Sequence, residues 1–152
     1  MRFFQCKVPG IWFTTDQTDV IDYGPTNLNT YNPKLPWVGA DESDVNLIMD
    51  LGVSTYCNSI AFTPHNLNNG TTCVLEADSD PAFGSAGSIS SITPTTNLPF
   101  FLEFSSVSYR YWRLKLTELF DRPSLGCLFL GTSLVPTHQY QFGYKLGDKQ
   151  FK

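Results

Sequence analysis

Charge is scarce in this chain. Asp, Glu, Lys and Arg make up 16% of its 152 residues, with 14 acids against 10 bases and a formal net charge of −4. A nucleic-acid partner calls for a clustered basic face, so this balance argues against one. Arg110, Arg113 and Lys115 do fall close together, but three cations on one strand read as a solvated or packed face. Long apolar runs are missing too. The weakly charged stretches are broken by Pro, Gly, Ser and Thr and fall short of the ~20 apolar residues of a spanning helix, so no membrane insertion is expected. The opening MRFFQCKVPG lacks the apolar core of about 7 to 15 residues that a secretory signal requires. Synthesis in a cytoplasm without a cleaved leader is the expectation.

Catalytic groups are equally sparse. The two histidines, His65 and His138, are far apart, and no GxSxG elbow or Cys/His arrangement accompanies them. A histidine in a turn, as at His65, reads first as a hydrogen-bonded structural residue. Asp41, Glu42, Asp44, Asp78 and Asp80 fall in turns, where capping is the default role of a carboxylate. Four cysteines, Cys6, Cys57, Cys73 and Cys127, form no CxxC pair. Cys57 and Cys127 sit in apolar runs, where a thiol behaves as a small hydrophobe. The spacing allows a Cys57–Cys73 bridge, and a reducing cytoplasm argues against it. No enzyme, no cofactor and no resident metal are expected.

What the chain does have is aromatic residues (12 Phe, 7 Tyr, 3 Trp) and turn residues (11 Gly, 10 Pro). Helical periodicity is nearly absent, and at least seven short strand-like runs follow one another between turn signals. That combination indicates an all-β protein, a β-sandwich or jelly roll, and the length suits a single domain with a real core. The strongest stretch is YRYWRLKLTELFDRPSLGCLFLGT, residues 109–132. Arg110, Trp112, Leu114 and Leu116 alternate there with Tyr111, Arg113 and Lys115, the pattern of a strand with one buried face. LGCLFLG then reads as a strand buried on both faces.

Before that stretch, VNLIMDL (Val45 to Leu51) reads as a strand ending at a turn on Gly52, and STYCNSIAFTPHN as the next strand. In the latter, Cys57, Ser59 and Ala61 alternate with Asn58, Ile60 and Phe62. LNNG (Leu67 to Gly70) is a hairpin signal, with Thr71 to Ala77 as the returning strand. DSDPAFG reads as a turn, with short strands around Ile89 to Ile92, from Pro99, and near Tyr140 to Tyr144. Residues 16–44 form a long loop with Trp37 as its anchor, a length unusual unless the loop folds on itself or serves a function. Phe3, Phe4, Trp12 and Phe13 near the N-terminus are either core or candidate contacts with another subunit.

The order of these motifs resembles a known family. Trp37 in a Pro-rich loop, NLIMDLG (Asn46 to Gly52), a strand ending in PHNL (Pro64 to Leu67), CVLEADSDPAF, YRYWRLKL, LGCLFLG and the pair Gly143–Tyr144 follow one another. Together they are similar to discoidin-like, galactose-binding-type β-sandwich domains, and to the version found in bacteriophage tail and other virion proteins. The likeness spans residues 27–144, leaving 1–26 as an N-terminal arm or edge strands and 145–152 as a polar tail that could continue into a longer chain. Cys127 stands where the phage-like pattern often has Arg, and Pro64 where a small residue precedes the His.

The resemblance implies a structural protein of a virion (tail, baseplate or fibre) that contacts other virion proteins and copies of itself as a homo-oligomer. Its alternative is a carbohydrate-binding module attaching to a host-surface glycan. For that alternative the candidate ligand residues are Tyr31, Trp37, His65, Asn66 and Asn68, which supply rings and amide donors in loops. Structural roles compete for them: Trp37 plugging the sandwich end, and Asn66 satisfying its own turn. Discoidin-like domains sometimes hold calcium, which makes Asp78 and Asp80 weak candidates; the D-x-D-x-D-G loop with its distal Glu is absent.

Overall fold

The computed structural model describes residues 3–7, 10–18, 20–30, 32–68 and 70–134, with only the backbone for residues 3–7 and 134. Eight antiparallel strands account for almost all of its regular structure: β1 (Phe3–Lys7), β2 (Trp12–Thr15), β3 (Trp37–Val38), β4 (Val45–His65), β5 (Thr72–Asp78), β6 (Gly87–Ile92), β7 (Phe100–Thr117) and β8 (Ser124–Leu134). A single 3-10 turn, Pro25–Asn29, lies in the long loop. Through the main path the strand order is β1-β8-β4-β7-β5-β6, with β2 added to β4 and β3 to β8.

The fold turns on the long ribbon made by β4 and β7, which stay paired from Val45↔Leu116 to Phe62↔Phe100. Its first half is flanked by β2 (Phe13↔Met49) and β5 (Leu75↔Leu114). Its second half is flanked by β8 (Ile60↔Leu130). One ribbon thus contributes a strand pair to each of two layers, and the layers close on a shared core. Register breaks between Asp50 and Thr55 and between Cys57 and Ser59 let it pass from one layer to the other.

These breaks correct the reading of two strands separated by a glycine turn. Gly52, at φ 75, lies inside a continuous 21-residue strand. The bulge after Cys57 also changes which side chains face inward. Val45, Leu47, Met49, Leu51, Cys57 and Ser59 are buried at odd positions, then Ile60 and Phe62 at even ones. Ser59 and Ile60 are buried in succession, so the inward parity changes beside the register break, which strict alternation does not foresee. In β7, Trp112, Leu114 and Leu116 are buried as read, whereas Arg110 turns to the surface and pairs with Asp50.

LNNG is not a hairpin. β7 lies between β4 and β5, so residues 66–71 carry the chain over the end of an intervening strand. Leu67 is buried in that connection. LGCLFLG buries Leu125, Leu128 and Leu130 in the core, while Cys127 and Phe129 remain half-buried on the other side. The long 16–44 loop is folded on itself. Asn27 Nδ2 donates to the carbonyls of Asp22 and Pro36, Asn29 Nδ2 to Ile11, and Trp37 pairs with Leu125 of β8.

Cys57 and Cys73 are free and buried, and burial pushes each thiol up to about 12. They pair with Val107 and Leu116 of β7, and no bridge joins them. The expected strand at 140–144 and His138 lie outside the described residues.

Candidate functional site

The first half of β4, the ends of β2 and β7, and the starts of β5 and β8 all meet at one end of the sandwich. Four loops, residues 16–18, 39–44, 66–71 and 118–123, converge there and are tied together. Gln17 is the hub on one side: its Nε2 donates to Ser43 O at 2.8 Å and to Asp41 Oδ1 at 3.4 Å, and its Oε1 accepts from Ala40 N at 3.2 Å. Gly39 N donates to Pro123 O at 2.9 Å. Gly39 is the residue this approach requires, since a Cβ there would meet the Pro123 ring at 2.8 Å. On the other side Asn66 Nδ2 donates to Arg122 O at 2.8 Å while its Oδ1 accepts from Ser124 N at 2.8 Å. Thr72 Oγ1 donates to Glu118 Oε2 at 2.7 Å.

His65 joins this end to a further loop. Leu67 N–H donates to Nδ1 at 3.2 Å, which makes Nδ1 the acceptor and Nε2 the protonated nitrogen. Nε2 then donates to Leu98 O at 2.8 Å. Burial holds the His65 pKa below its ordinary value, and the bond to Leu98 opposes that only partly. Phe62 meets the ring edge-on, and so this histidine is a neutral structural staple.

The surface of the loop end is set by the segment after β7. Glu118 sits at φ 58, a conformation costly for a non-glycine residue and recurrent at ligand sites. Leu119 packs against the core and Phe120 is thereby turned outward, 66% exposed. The Phe120 ring lies over Gly70, where a Cβ would sit 3.5 Å from it; Gly70 itself has φ 86. Asn68, Glu118, Asp121 and Arg122 are exposed on the same two loops as Gly70 and Phe120, with Asp41 on the loop beside Arg122. Hydrogen bonds from Ser43 hold the Asp41 carboxyl below its usual range, and the charge of Arg122 adds to this. The loop end thus exposes an apolar ring together with amide, carboxylate and guanidinium groups on its loops.

The structure brings Trp37, His65, Asn66 and Asn68 to the same end, but only Asn68 is free to meet a ligand. Trp37 is 0% exposed and offers no ring face. It plugs the sandwich end, because the β3–β8 pairing draws it inward. His65 has both ring nitrogens engaged, and Asn66 uses its amide on backbone. Tyr31 lies outside the described residues. Phe120 was missed because it sits in a polar corner without strand pattern; its one sequence signal is an aromatic among turn residues in ELFDRPS.

Asp78 and Asp80 serve a turn. Asp78 accepts from Asp80 N and Ser85 N, each at 3.1 Å, and Asp80 from Ala82 N at 2.9 Å. Their carboxylates are directed at amides, and no cluster of three metal-ligating side chains occurs among the described residues. Of the interface candidates, Phe13 is core and Trp12 is exposed, while the Phe3 and Phe4 side chains lie outside the described residues.

No family model matches the chain, and no curated protein matches it in sequence. Solved structures do. A GH29 fucosidase of Ruminococcus gnavus in complex with fucose superposes with a TM-score of 0.72 at 15% identity, covering 86% of this chain and 27% of that one. The chain therefore spans about a quarter of that enzyme's length. Chitosan-binding module 1 of a Paenibacillus sp. IK-5 chitosanase/glucanase matches at 0.72 and 12% identity, over 84% of this chain and 100% of the module. The Clostridium perfringens module CpGH89CBM32-5, in complex with GalNAc-β-1,3-galactose, matches at 0.69 and 17% identity, over 83% and 98%.

The chain thus has the galactose-binding-domain-like β-sandwich fold that carbohydrate-binding modules of this type share. The similar structures come from glycoside hydrolases and lyases rather than from phage tails, so the virion setting draws no support from them.

Proposed function

We propose that this chain is a carbohydrate-binding module whose ligand site is the loop end built around Phe120. The observation that carries this reading is the Phe120 ring, held outward over Gly70, with Asn68, Arg122 and Asp41 exposed on the loops of the same end. A pyranose has one face of C–H groups and a rim of hydroxyls, and it matches a ring with amides and charges around it. The similar modules, described as binding chitosan or solved with a galactose-containing disaccharide, support the same class of ligand. The site carries no group poised for bond cleavage: its histidine is a buried staple, and its carboxylates serve turns or lie free at the rim. Binding without catalysis is the role it fits. A structural place in a virion appendage is the second reading, drawn from the motif resemblance; no feature of the geometry favours it.

Affinity electrophoresis against a panel of soluble polysaccharides tests the proposal. At least one should retard the wild-type chain, and Phe120→Ala should be retarded markedly less by it while keeping its melting temperature. Retardation unchanged by Phe120→Ala would place the ligand elsewhere.

A further inference from the structure

The largest exposed ring in the described structure is far from Phe120. Trp12 is 72% exposed, although Ile11 and Phe13 on either side of it are buried. Its projection is fixed by strand alternation, not by a loose loop. Trp12 pairs with Asp50 of β4, and Asp50 with Tyr111 of β7, so the three stand in one row across β2, β4 and β7. Their chain neighbours Phe13, Met49 and Trp112 fill the core below. Trp12, Asp50 and Tyr111 therefore point outward from the same face. With one strand between them, the two rings rise from backbones about 9.6 Å apart.

The gap between the rings is filled by a rigid planar group. Arg110 Nε and Nη2 donate to Asp50 Oδ1 and Oδ2 at 2.8 and 3.0 Å, and the guanidinium carbon lies 4.8 Å from the centre of the Tyr111 ring. In the adjoining row Arg113 Nε donates to Glu76 at 2.7 Å, with Lys115 Nζ 3.9 Å from the same carboxylate.

We infer that this face is a second carbohydrate site, an open platform for an extended, neutral, β-linked polysaccharide laid across the strands. Two arguments select that occupant. The ring spacing is close to the distance between alternate sugars of such a chain, so that Trp12 and Tyr111 stack on alternate units and Arg110–Asp50 meets the hydroxyls between them. Charge matching excludes the other partners. Three carboxylates stand on this face, Asp50, Glu76 and Asp78 opposite Tyr111, against three cations, Arg110, Arg113 and Lys115, so its charges balance. A charged polymer therefore gains nothing here, whereas paired charges still hydrogen-bond to hydroxyls. A protein interface depletes charge from its centre, and here an ion pair occupies the centre. The platform shares no residue with the Phe120 site.

Tryptophan fluorescence isolates the platform. The chain has three tryptophans, and Trp37 and Trp112 are fully buried, so quenching by acrylamide reports Trp12. Hydroxyethylcellulose and a β-1,4-galactan are the neutral probes and alginate the acidic one. A neutral polysaccharide should shield Trp12 from acrylamide in the wild type and in Phe120→Ala alike, and alginate should not. Adding Trp12→Ala to Phe120→Ala should lower the remaining affinity at least about fivefold, as for loss of one stacked ring. Retardation without shielding, shielding that vanishes in Phe120→Ala, or no shielding by any probe would each overturn the platform. Shielding that grows with protein concentration alone would overturn it in favour of self-association. Shielding by polysaccharide together with retardation indifferent to Phe120→Ala would sink the loop site and leave the platform standing.

Discussion

Phe120 and His65 divide the labour of the loop end. Phe120 contributes an exposed ring and little stability, because two thirds of its surface stays in solvent. Removing it should weaken binding with almost no change in folding, as the electrophoresis comparison reads directly. His65 contributes stability and no ligand contact. Its native pKa is lowered from 6.5 by burial, so the unfolded chain takes up a proton at a higher pH than the native one. Stability from the neutral ring is complete above about pH 6.5 and is lost as pH falls through the lower native value. Between about pH 7.5 and pH 5 the melting temperature of the wild type should fall by more than that of His65→Gln. Equal slopes would mean that His65 is not held neutral by its staple.

At the scale of elements, the β4–β7 ribbon is the part that sequence reveals best and misjudges most. Val45, Leu47 and Met49, and Trp112, Leu114 and Leu116, showed their alternation plainly because each sits opposite a core strand on a regular register. The register break after Cys57 and the passage through Gly52 were hidden, since extra residues on one strand of a ladder leave no composition signal. The β4–β5 connection failed for another reason. An Asn-Gly turn specifies a local reversal but cannot specify whether β7 inserts between the strands it joins. The same logic misplaced two candidate ligand residues: Trp37 and Asn66 have the residue types of ligand contacts, and only tertiary packing engages them within the fold.

The join between β4 and β8 supplies a direct test of this packing. A Cβ on Gly126 would collide with the Pro64 ring, whereas one on Gly84 meets nothing within 4 Å. Gly126→Ala should destabilise by about 1–3 kcal/mol in urea unfolding, the range for an overpacked core, and Gly84→Ala should leave the midpoint near that of the wild type. Equal midpoints would show that β8 does not sit against Pro64 as described.

At the scale of the whole molecule, the two layers of the sandwich are stitched by one ribbon, with four hydrogen-bonded loops gathered at one end. The all-β class and the galactose-binding-like architecture were legible in the order of motifs, because HNL and LGCLFLG mark where core strands stop and start, while DLG marks a register break inside β4. The setting was not legible. The same motifs serve virion parts and carbohydrate-binding modules, and the difference lies in which side chains the loops expose. The two settings also differ in solution: a module binds glycan as an independent unit, while a virion part assembles.

The central claim is that the loop end binds carbohydrate through Phe120. Isothermal titration of the wild-type chain and of Phe120→Ala with the polysaccharide that retards the wild type most is its most direct test. Saturable binding by the wild type, weakened at least about tenfold in a folded Phe120→Ala, is the predicted result. Identical isotherms for the two chains would contradict it. So would a wild-type chain that binds no polysaccharide and sediments as a large regular assembly.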